Sequence, residues 1–272
     1  MHGLSGFLAL NITALLLSGC SLSWFGFGSD SETSNKPSDR DLCSSKTQIV
    51  ANHSYYESWQ ACERLTAEGD YNAEYVLGLI YTDEKLLKGF IEPENRFARG
   101  IGHIKNAADH SVPQAQRAIG EYYEKNGSTE LAREYLGKAA AAGDTDAMIS
   151  LATGYETEGS CSKAVPYYEK EISAKKNTAE GWIYLYLLTY TGCKDMKPDP
   201  LLSCGYYHNV LNSTAKNTVL SLIDFEKSSK TAGKKGSITL TTGAVQNYYK
   251  GNTEACKTKG LEIKERLFTD GK

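Results

Sequence analysis

The feature that most constrains the fold of this chain is a short pattern of small and apolar residues that occurs three times. The pattern is Ala-x3-(Leu/Ile)-(Gly/Ala)-x2-Tyr, and its copies begin at Ala73, Ala115 and Ala147. Its positions one, five, six and nine fall on one face of an α-helix, so each copy predicts a helix with one packing face. A weaker fourth copy starts at Ala179 with Ile183, and the last three copies start 32 residues apart.

A second helix is predicted between successive copies. Its pattern is Ala-x2-Tyr-x2-Lys-Ala-Ala-x2-Gly from Ala132 to Gly143, and the stretch from Ala164 to Lys170 repeats the first part. Small residues at fixed positions let two helices approach closely, while Leu and Tyr fill the remaining space. A helical hairpin of this kind cannot bury its apolar face alone, so the hairpins are expected to stack into a solenoid.

These two signatures resemble those of the Sel1-like repeat (SLR), a relative of the tetratricopeptide repeat. The resemblance covers roughly residues 55 to 195 and implies an all-α, right-handed helical-hairpin solenoid. The sequence departs from the family pattern by an insertion from Thr82 to Asn95 and by a fourth copy that lacks the Gly and Tyr. Tyr55 to Glu68 is expected to form a lone helix that caps one end.

Beyond residue 195 the pattern degrades, and a mainly helical C-terminal capping module is expected at 196–272. Within it we expect helices at 204–211, 217–229 and 255–267 and a basic loop at 230–236. The alternating residues 238–241 fit a short strand or the start of a helix equally well.

The N-terminal residues have the features of a lipoprotein export signal. An almost unbroken run of apolar and small residues from Leu4 to Leu17 has the length of a signal-peptide apolar region and is too short to span a membrane. The run leads into Leu-Ser-Gly-Cys ending at Cys20, which resembles the bacterial lipobox. This resemblance implies lipidation of Cys20 and, with Ser21 after it, anchoring at the periplasmic face of the outer membrane of a Gram-negative bacterium. The expected divisions are a signal peptide at 1–19, a lipidated flexible tether at 20–41 and the repeat solenoid at 42–195.

The six remaining cysteines predict disulfide bonds. An even number of cysteines in an oxidising compartment favours up to three bridges. Sequence proximity alone suggests the pairs Cys43 with Cys62, Cys161 with Cys193, and Cys204 with Cys256. A zinc site is the alternative, but the sequence has no CxxC and the spacings are long. We therefore expect disulfides and no metal.

Composition and motifs argue against nucleic-acid binding and against catalysis. The formal net charge of −3 lacks the excess of Lys and Arg that nucleic-acid binding needs. The sequence has no GxSxG, HExxH, Walker A or GxGxxG motif. Its histidines are scattered, Ser160 and Ser162 beside Cys161 are expected to cap a helix, and the 18 tyrosines are expected to fill the core rather than to bind sugar. A non-enzymatic protein without a cofactor is therefore expected.

The family resemblance also places a partner-binding groove. In tetratricopeptide-type arrays the first helix of each hairpin lines the concave surface. The corresponding positions lie two before the Leu, one after the Gly and one after the Tyr of each copy: Tyr75, Leu79 and Thr82; Arg117, Glu121 and Glu124; Ile149, Thr153 and Glu156. Glu121, Glu124 and Glu156 would share one groove, which we expect to accept a basic or amine-bearing segment of a protein partner. Ordinary solvated carboxylates are the alternative, and the basic tail after Lys227 is a second candidate contact.

Two functions fit these expectations. Lipoproteins with such repeats resemble the immunity partners of phospholipase effectors of type VI secretion systems, which implies a protein that binds and neutralises a secreted toxic effector. They also resemble the repeat lipoprotein of alginate export, which implies an assembly scaffold or adaptor for a polysaccharide export or secretion machine at the outer membrane. In both cases the partner is a protein, and the chain contacts the membrane only through its N-terminal lipid.

Overall fold

The computed structural model describes residues 37–44, 55–83, 93–175, 179–213 and 235–269. The described residues form helices joined by short turns, and no β-strand occurs among them apart from an isolated bridge between Cys193 and Met196. The helices are α1 (Asp39–Leu42), α2 (Tyr55–Ala67), α3 (Tyr71–Thr82), α4 (Pro93–Asp109), α5 (Pro113–Lys125), α6 (Thr129–Ala141), α7 (Thr145–Thr157), α8 (Cys161–Lys175), α9 (Ala179–Thr191), α10 (Pro200–Leu211), α11 (Lys235–Gly251) and α12 (Thr253–Thr269). The predicted signal peptide, Cys20, most of the tether and the predicted helix at 217–229 lie outside these residues.

The helices pair as hairpins that pack against one another in chain order. The hairpins are α3 with α4, α5 with α6, α7 with α8 and α9 with α10, and each hairpin also contacts the next. Helix α2 packs on α3 at one end, as expected for a lone capping helix. Helices α11 and α12 pack on α10 at the other end. The prediction of an all-α helical-hairpin array with a mainly helical C-terminal module is therefore confirmed.

Short-range sequence signals set the helix ends. The Asp70 carboxylate accepts hydrogen bonds from the backbone N–H groups of Asn72 and Ala73, at 3.0 and 3.1 Å, and so caps α3. The Asp144 carboxylate caps α7 in the same way, 2.9 Å from the Ala147 nitrogen. The turns after the preceding helices contain Gly69 and Gly143, whose φ angles of 89° and 91° lie in the left-handed region that glycine tolerates best. At both places a glycine in the turn and an aspartate after it therefore separate one helix from the next.

The small residues of the repeat allow the two helices of a hairpin to touch. A Cβ on Gly78 would stand 2.6 Å from Ile104 Cγ1 and 2.9 Å from the Gly100 carbonyl oxygen. A Cβ on Gly120 would stand 2.7 Å from Leu136 Cγ. Both distances are shorter than a van der Waals contact, so these two positions can hold only glycine without a shift of the neighbouring helix.

The fourth copy lies two residues further along the chain than predicted. In α9 the fully buried face consists of Gly181, Trp182, Leu185, Tyr186, Leu188 and Thr189, whereas Ile183 is only partly buried. Gly181 therefore takes the place of Ala147, and Leu185 that of Leu151. A Cβ at Gly181 would stand 2.5 Å from Glu171 Oε2 and 2.9 Å from the Tyr168 carbonyl oxygen, which explains glycine here instead of alanine. The predicted register from Ala179 is wrong because the signature residues that would have marked it are replaced.

The tyrosines mainly serve packing, as expected. The tyrosine of each of the first three copies stacks on an aromatic ring of the following helix, and the pairs are Tyr81 with His103, Tyr123 with Tyr135, and Tyr155 with Tyr167. Ring centroids in these pairs lie 5.5 to 5.9 Å apart, within the range of favourable aromatic contacts. The largest apolar cluster spans α7 to α12, so the core continues without a break across the division that the sequence suggests at residues 195 and 196.

The six cysteines form the three disulfides that sequence proximity suggests. Cys43 is bonded to Cys62, Cys161 to Cys193, and Cys204 to Cys256. The first bond joins α1 to α2, and the last joins α10 to α12. The second joins the start of α8 to the turn after α9. Each disulfide therefore links two different secondary-structure elements, and the three bonds lie in three different parts of the array.

Two local predictions need correction. The tether predicted to reach residue 41 ends earlier, because Ser38 and Asp41 form a reciprocal cap at the start of α1 and Asp39 accepts two hydrogen bonds from Arg64, at 2.7 and 2.6 Å. Residues 238–241 belong to α11, which begins at Lys235 within the predicted basic loop. The alternation of Ile and Thr there therefore marks a helix and not a strand.

Candidate partner-binding surface

The nine predicted groove residues lie along α3, α5 and α7, and we call this surface the helix-A strip. None of the nine side chains is fully buried: Glu124 and Glu156 are exposed, and the other seven are partly exposed. The strip thus presents exposed and partly exposed polar and apolar side chains on the first helices of three successive hairpins.

Arg117 occupies the middle of the strip and makes ion pairs with three carboxylates. Its guanidinium lies 3.1 Å from Glu121 Oε1, 3.2 Å from Asp144 Oδ2 and 3.8 Å from Asp146 Oδ2. Tyr75 lies beside this group, and burial raises the pKa of its hydroxyl. Because the charge of Glu121 is compensated by Arg117, the predicted acidic groove does not include Glu121 as a free carboxylate.

The ion pairs continue from α7 to the next hairpin through Lys175. Its Nζ lies 3.4 Å from Asp146, 3.4 Å from Glu171 and 3.7 Å from Glu180. The Glu171 side chain is completely buried and also accepts a hydrogen bond from the Gly181 backbone, at 3.2 Å. Four helices, α5, α7, α8 and α9, are therefore linked by one set of charged side chains.

The other two predicted carboxylates have different surroundings. Glu156 accepts a hydrogen bond of 3.0 Å from the hydroxyl of Tyr168, and burial together with this carboxylate raises the pKa of Tyr168. The Glu124 side chain makes no hydrogen bond or ion pair with any described residue. Glu121, Glu124 and Glu156 are thus not equivalent: Glu121 is paired with Arg117, Glu156 accepts a hydrogen bond from Tyr168, and the acidic groove stays a prediction.

Glu124 stands at a cavity of about 200 Å³ between the α5–α6 hairpin and α7. Gly154 of α7 also lines the cavity, and a Cβ on it would be 3.7 Å from Glu124 Oε1. The remaining lining residues are Thr129, Ala132, Arg133, Leu136, Ser150, Leu151, Thr157 and Glu158. The lining thus combines apolar side chains, Ala132, Leu136 and Leu151, with polar and charged ones.

Ile149 and Thr153 contribute less to the polar character of the strip. The Thr153 hydroxyl donates to the carbonyl oxygens of Ile149 and Ser150, both at 3.0 Å, within its own helix. Ile149 is partly buried against the large C-terminal cluster. These two residues therefore add mainly apolar contact area.

A second cavity, of about 590 Å³, opens between the turns that precede α3 and α5. The rings of Tyr71 and His110 stack along it with centroids 3.7 Å apart, and Arg40 pairs with Asp70 at 3.4 Å on its rim. The two turns lie some forty positions apart in the chain, so no local sequence pattern indicates this cavity.

The group of potential metal ligands at Cys161, Cys193 and Asp195 serves a structural role. The two sulfur atoms are bonded to each other, so neither is available as a thiolate ligand. Asp195 accepts hydrogen bonds from the Cys161 nitrogen, at 2.8 Å, and from the Ser162 hydroxyl, at 2.5 Å. The start of α8 is thus capped by Asp195, which replaces the predicted cap by the neighbouring serines.

Comparison with protein-family models finds no match, and comparison with curated proteins finds none either. Solved structures do match. A protective antigen of uropathogenic Escherichia coli strains that displays an SLR fold is 16% identical, with a TM-score of 0.47 over 77% of this chain and 44% of that one. The Sel1 repeat protein from Oxalobacter formigenes is 18% identical, with a TM-score of 0.48 over 71% of this chain and 84% of that one.

Both solved structures are SLR proteins. The chain spans less than half the length of the first of them. Among the described helices of this chain, none combines the length and the apolar character that crossing a membrane requires.

Proposed function

We propose that this protein is a non-enzymatic, protein-binding lipoprotein of the Gram-negative periplasm, anchored at the outer membrane, and that the helix-A strip contacts its partner. The observation that carries the proposal is that all nine strip side chains are exposed or partly exposed, on the first helices of three successive hairpins. Side chains on successive repeats form an extended surface, which is how solenoids hold a segment of another protein.

The strip is held rigidly, which favours binding. Glycines fix the crossings of α3 on α4 and of α5 on α6, and the ion pairs of Arg117 and Lys175 link α5 to α9. A surface that is ordered before binding loses less conformational entropy when the partner docks. The three disulfides suit an oxidising compartment outside the cytoplasm.

We propose further that the partner is a secreted toxic effector, such as a type VI secretion phospholipase, and that the protein neutralises it as an immunity protein. A lipid on Cys20 and the tether would hold the array near the membrane where a phospholipase acts. Inhibition then requires only that the docked array block access to the lipid substrate. No chemistry by this chain is needed.

The proposal is tested by capture from periplasmic and secreted fractions, with the full-length oxidised protein as bait and mass spectrometry as readout. Recovery of one stoichiometric lipase or other toxin whose activity is lost in the complex supports immunity. Recovery of a porin or a secretion component supports the scaffold function instead. If no protein is retained, protein binding itself is rejected.

Two matched variants test the surface. Thr153→Arg places a long charged side chain on the strip, outside the cavity beside Glu124. Leu131→Arg introduces the same side chain on α6, where Leu131 is already 42% exposed. We expect Thr153→Arg to reduce capture at least about tenfold through steric and charge conflict, and Leu131→Arg to leave it unchanged. Equal capture by both would place the partner on another surface.

A further inference from the structure

The cavity beside Glu124 exists because one junction between repeats lacks the aromatic side chains that fill the other two. The junctions can be compared position by position, since α6 and α8 follow each other at 32 residues. Leu136 therefore corresponds to Tyr168. With the register that the buried face of α9 defines, Tyr184 corresponds to Ser150, and Leu188 corresponds to Gly154.

At the junction of α7 and α8 with α9, tyrosines fill the corresponding space. Tyr168 and Tyr184 stack with ring centroids 4.9 Å apart and an interplanar angle of 9°. The Tyr168 hydroxyl donates to Glu156, which corresponds to Glu124. A carboxylate at this position of the repeat is thus satisfied by a hydrogen-bond donor on a side chain that reaches it from within the junction.

At the junction of α3 and α4 with α5, the place of Gly154 is taken by Tyr122. Its ring packs on Phe97, with centroids 6.3 Å apart. Thr82 stands there in the place of Glu124, so this junction has no carboxylate at that position of the repeat. Only the middle junction of the three combines small residues, an open cavity and a carboxylate without a partner among the described residues.

The charges that line the cavity favour a cation. Arg133 lines it but is paired with Glu158, and its guanidinium also lies over the ring of Tyr155, at 5.1 Å from the centroid. Glu124 therefore leaves one uncompensated negative charge. The C-terminal turns of α5 and α7 also border the cavity, and the negative ends of helix dipoles favour positive charge.

We propose that this cavity is an anchor site for one basic side chain, lysine or arginine, of the protein partner. The aliphatic stem would pack on Ala132, Leu136 and Leu151, and the charged group would bind Glu124, in the way Tyr168 binds Glu156. A cavity of about 150 Å³ accepts benzene, so this volume is sufficient for a single side chain. The assignment of this side chain to a protein partner rests on the proposed protein-binding function, but the site itself can be tested alone.

The probe is N-acetyl-lysine methylamide, titrated into the isotope-labelled full-length protein while the backbone amide of Gly154 is followed by NMR. We expect a saturable shift at Gly154. The matched neutral probe, N-acetyl-norleucine methylamide, has nearly the same stem without the ammonium group and should give no saturable shift. No shift with the lysine probe, or equal shifts with both probes, would overturn the proposal.

Variants separate the charge from the space. Glu124→Gln should weaken binding of the lysine probe about threefold to tenfold, because a charged hydrogen-bond acceptor is lost. Glu134→Gln is the matched control: it makes the same change at an exposed carboxylate of α6 that lies outside both the cavity and the helix-A strip, and should leave the affinity unchanged. Leu136→Tyr copies the filled junction and should abolish binding by occupying both the cavity and Glu124. An unchanged affinity in Glu124→Gln also overturns the proposal.

The outcomes distinguish this proposal from the function on which it draws. A shift at Gly154 combined with a bait that captures no protein would retain the anchor site and reject the protein-binding function. Capture of a protein by a chain whose Gly154 does not respond to the lysine probe would retain the function and reject the anchor site.

Discussion

Arg117 Nε lies 3.2 Å from Asp144 Oδ2, and this contact joins the second repeat to the cap of the third. The same Asp144 carboxylate accepts from the Ala147 nitrogen at the start of α7. Only 24% of the Arg117 side chain and 9% of the Asp144 side chain are exposed, so the pair is largely shielded from water. One carboxylate therefore serves both a helix end and the contact between neighbouring hairpins.

Replacement of Arg117 by methionine should destabilise the protein by about 1 to 3 kcal/mol. Methionine keeps much of the apolar stem, so the loss reflects Asp144 and Glu121 left without their shared cation. Urea unfolding followed by circular dichroism measures this free energy. The control is Lys138→Met, since Lys138 and Glu134 form an exposed pair and such pairs contribute less than about 1 kcal/mol. Equal losses in both variants would contradict the inference.

The helices and their pairing could be predicted from the sequence because they depend on short-range periodicity. Ala73, Leu77 and Tyr81 lie on one helix face in any helical chain, and Asp70 before them is a cap wherever a helix follows. The disulfide pairing could be suggested by proximity because, in a solenoid, residues that are near in sequence are also near in space.

The fourth repeat and the charge of the strip could not be predicted in the same way. The register of α9 depends on the close approach of Gly181 to α8, which is visible only when both helices are placed. The compensation of Glu121 depends on Arg117, which is also held by Asp144 from the next repeat, 27 residues away. The cavity beside Glu124 depends on which residues of neighbouring repeats correspond to one another, and that correspondence requires the observed register of α9.

Gly260→Ala should separate α12 from α10. A Cβ on Gly260 would stand 2.9 Å from the Gly205 carbonyl oxygen and 2.9 Å from His208 Cδ2, so the added methyl group forces the helices apart. We expect a loss of about 1 to 3 kcal/mol, as for other overpacked contacts. Gly137→Ala is the matched control within α6, where no atom lies within 4 Å of the new Cβ. Helix propensity should make that variant more stable by about 0.5 to 1 kcal/mol. Thermal unfolding of the two variants should thus shift in opposite directions.

Ser111→Gly should stabilise the protein. Ser111 has a φ of 65° at the end of α4, where the equivalent turns have Gly69 and Gly143. An L-residue in the left-handed region costs roughly 1 to 2 kcal/mol, and glycine recovers part of this at the expense of a more flexible unfolded chain. The expected gain is about 0.5 to 1 kcal/mol in the free energy of unfolding. The reverse change, Gly143→Ser, should destabilise by a similar amount, and a gain from both changes would exclude backbone strain as the cause.

The stability of the C-terminal module should fall as the pH is lowered below about 6.5, because of His208. The Asn212 amide lies 3.2 Å from His208 Nε2, and the Tyr249 hydroxyl lies 3.0 Å from Nδ1, which suits a neutral ring protonated at Nδ1. Burial, assisted by Lys257 and Lys264, lowers the pKa of His208 from its usual 6.5. The unfolded chain therefore takes up a proton at a higher pH than the folded one, so this stabilisation is present above 6.5 and is lost as the pH falls through the lower folded-state pKa.

His208→Gln should flatten the pH dependence of the unfolding free energy in that window, and an NMR titration of the wild-type ring should give a pKa below 6.5. An unchanged pH slope in the variant would assign the dependence to another group.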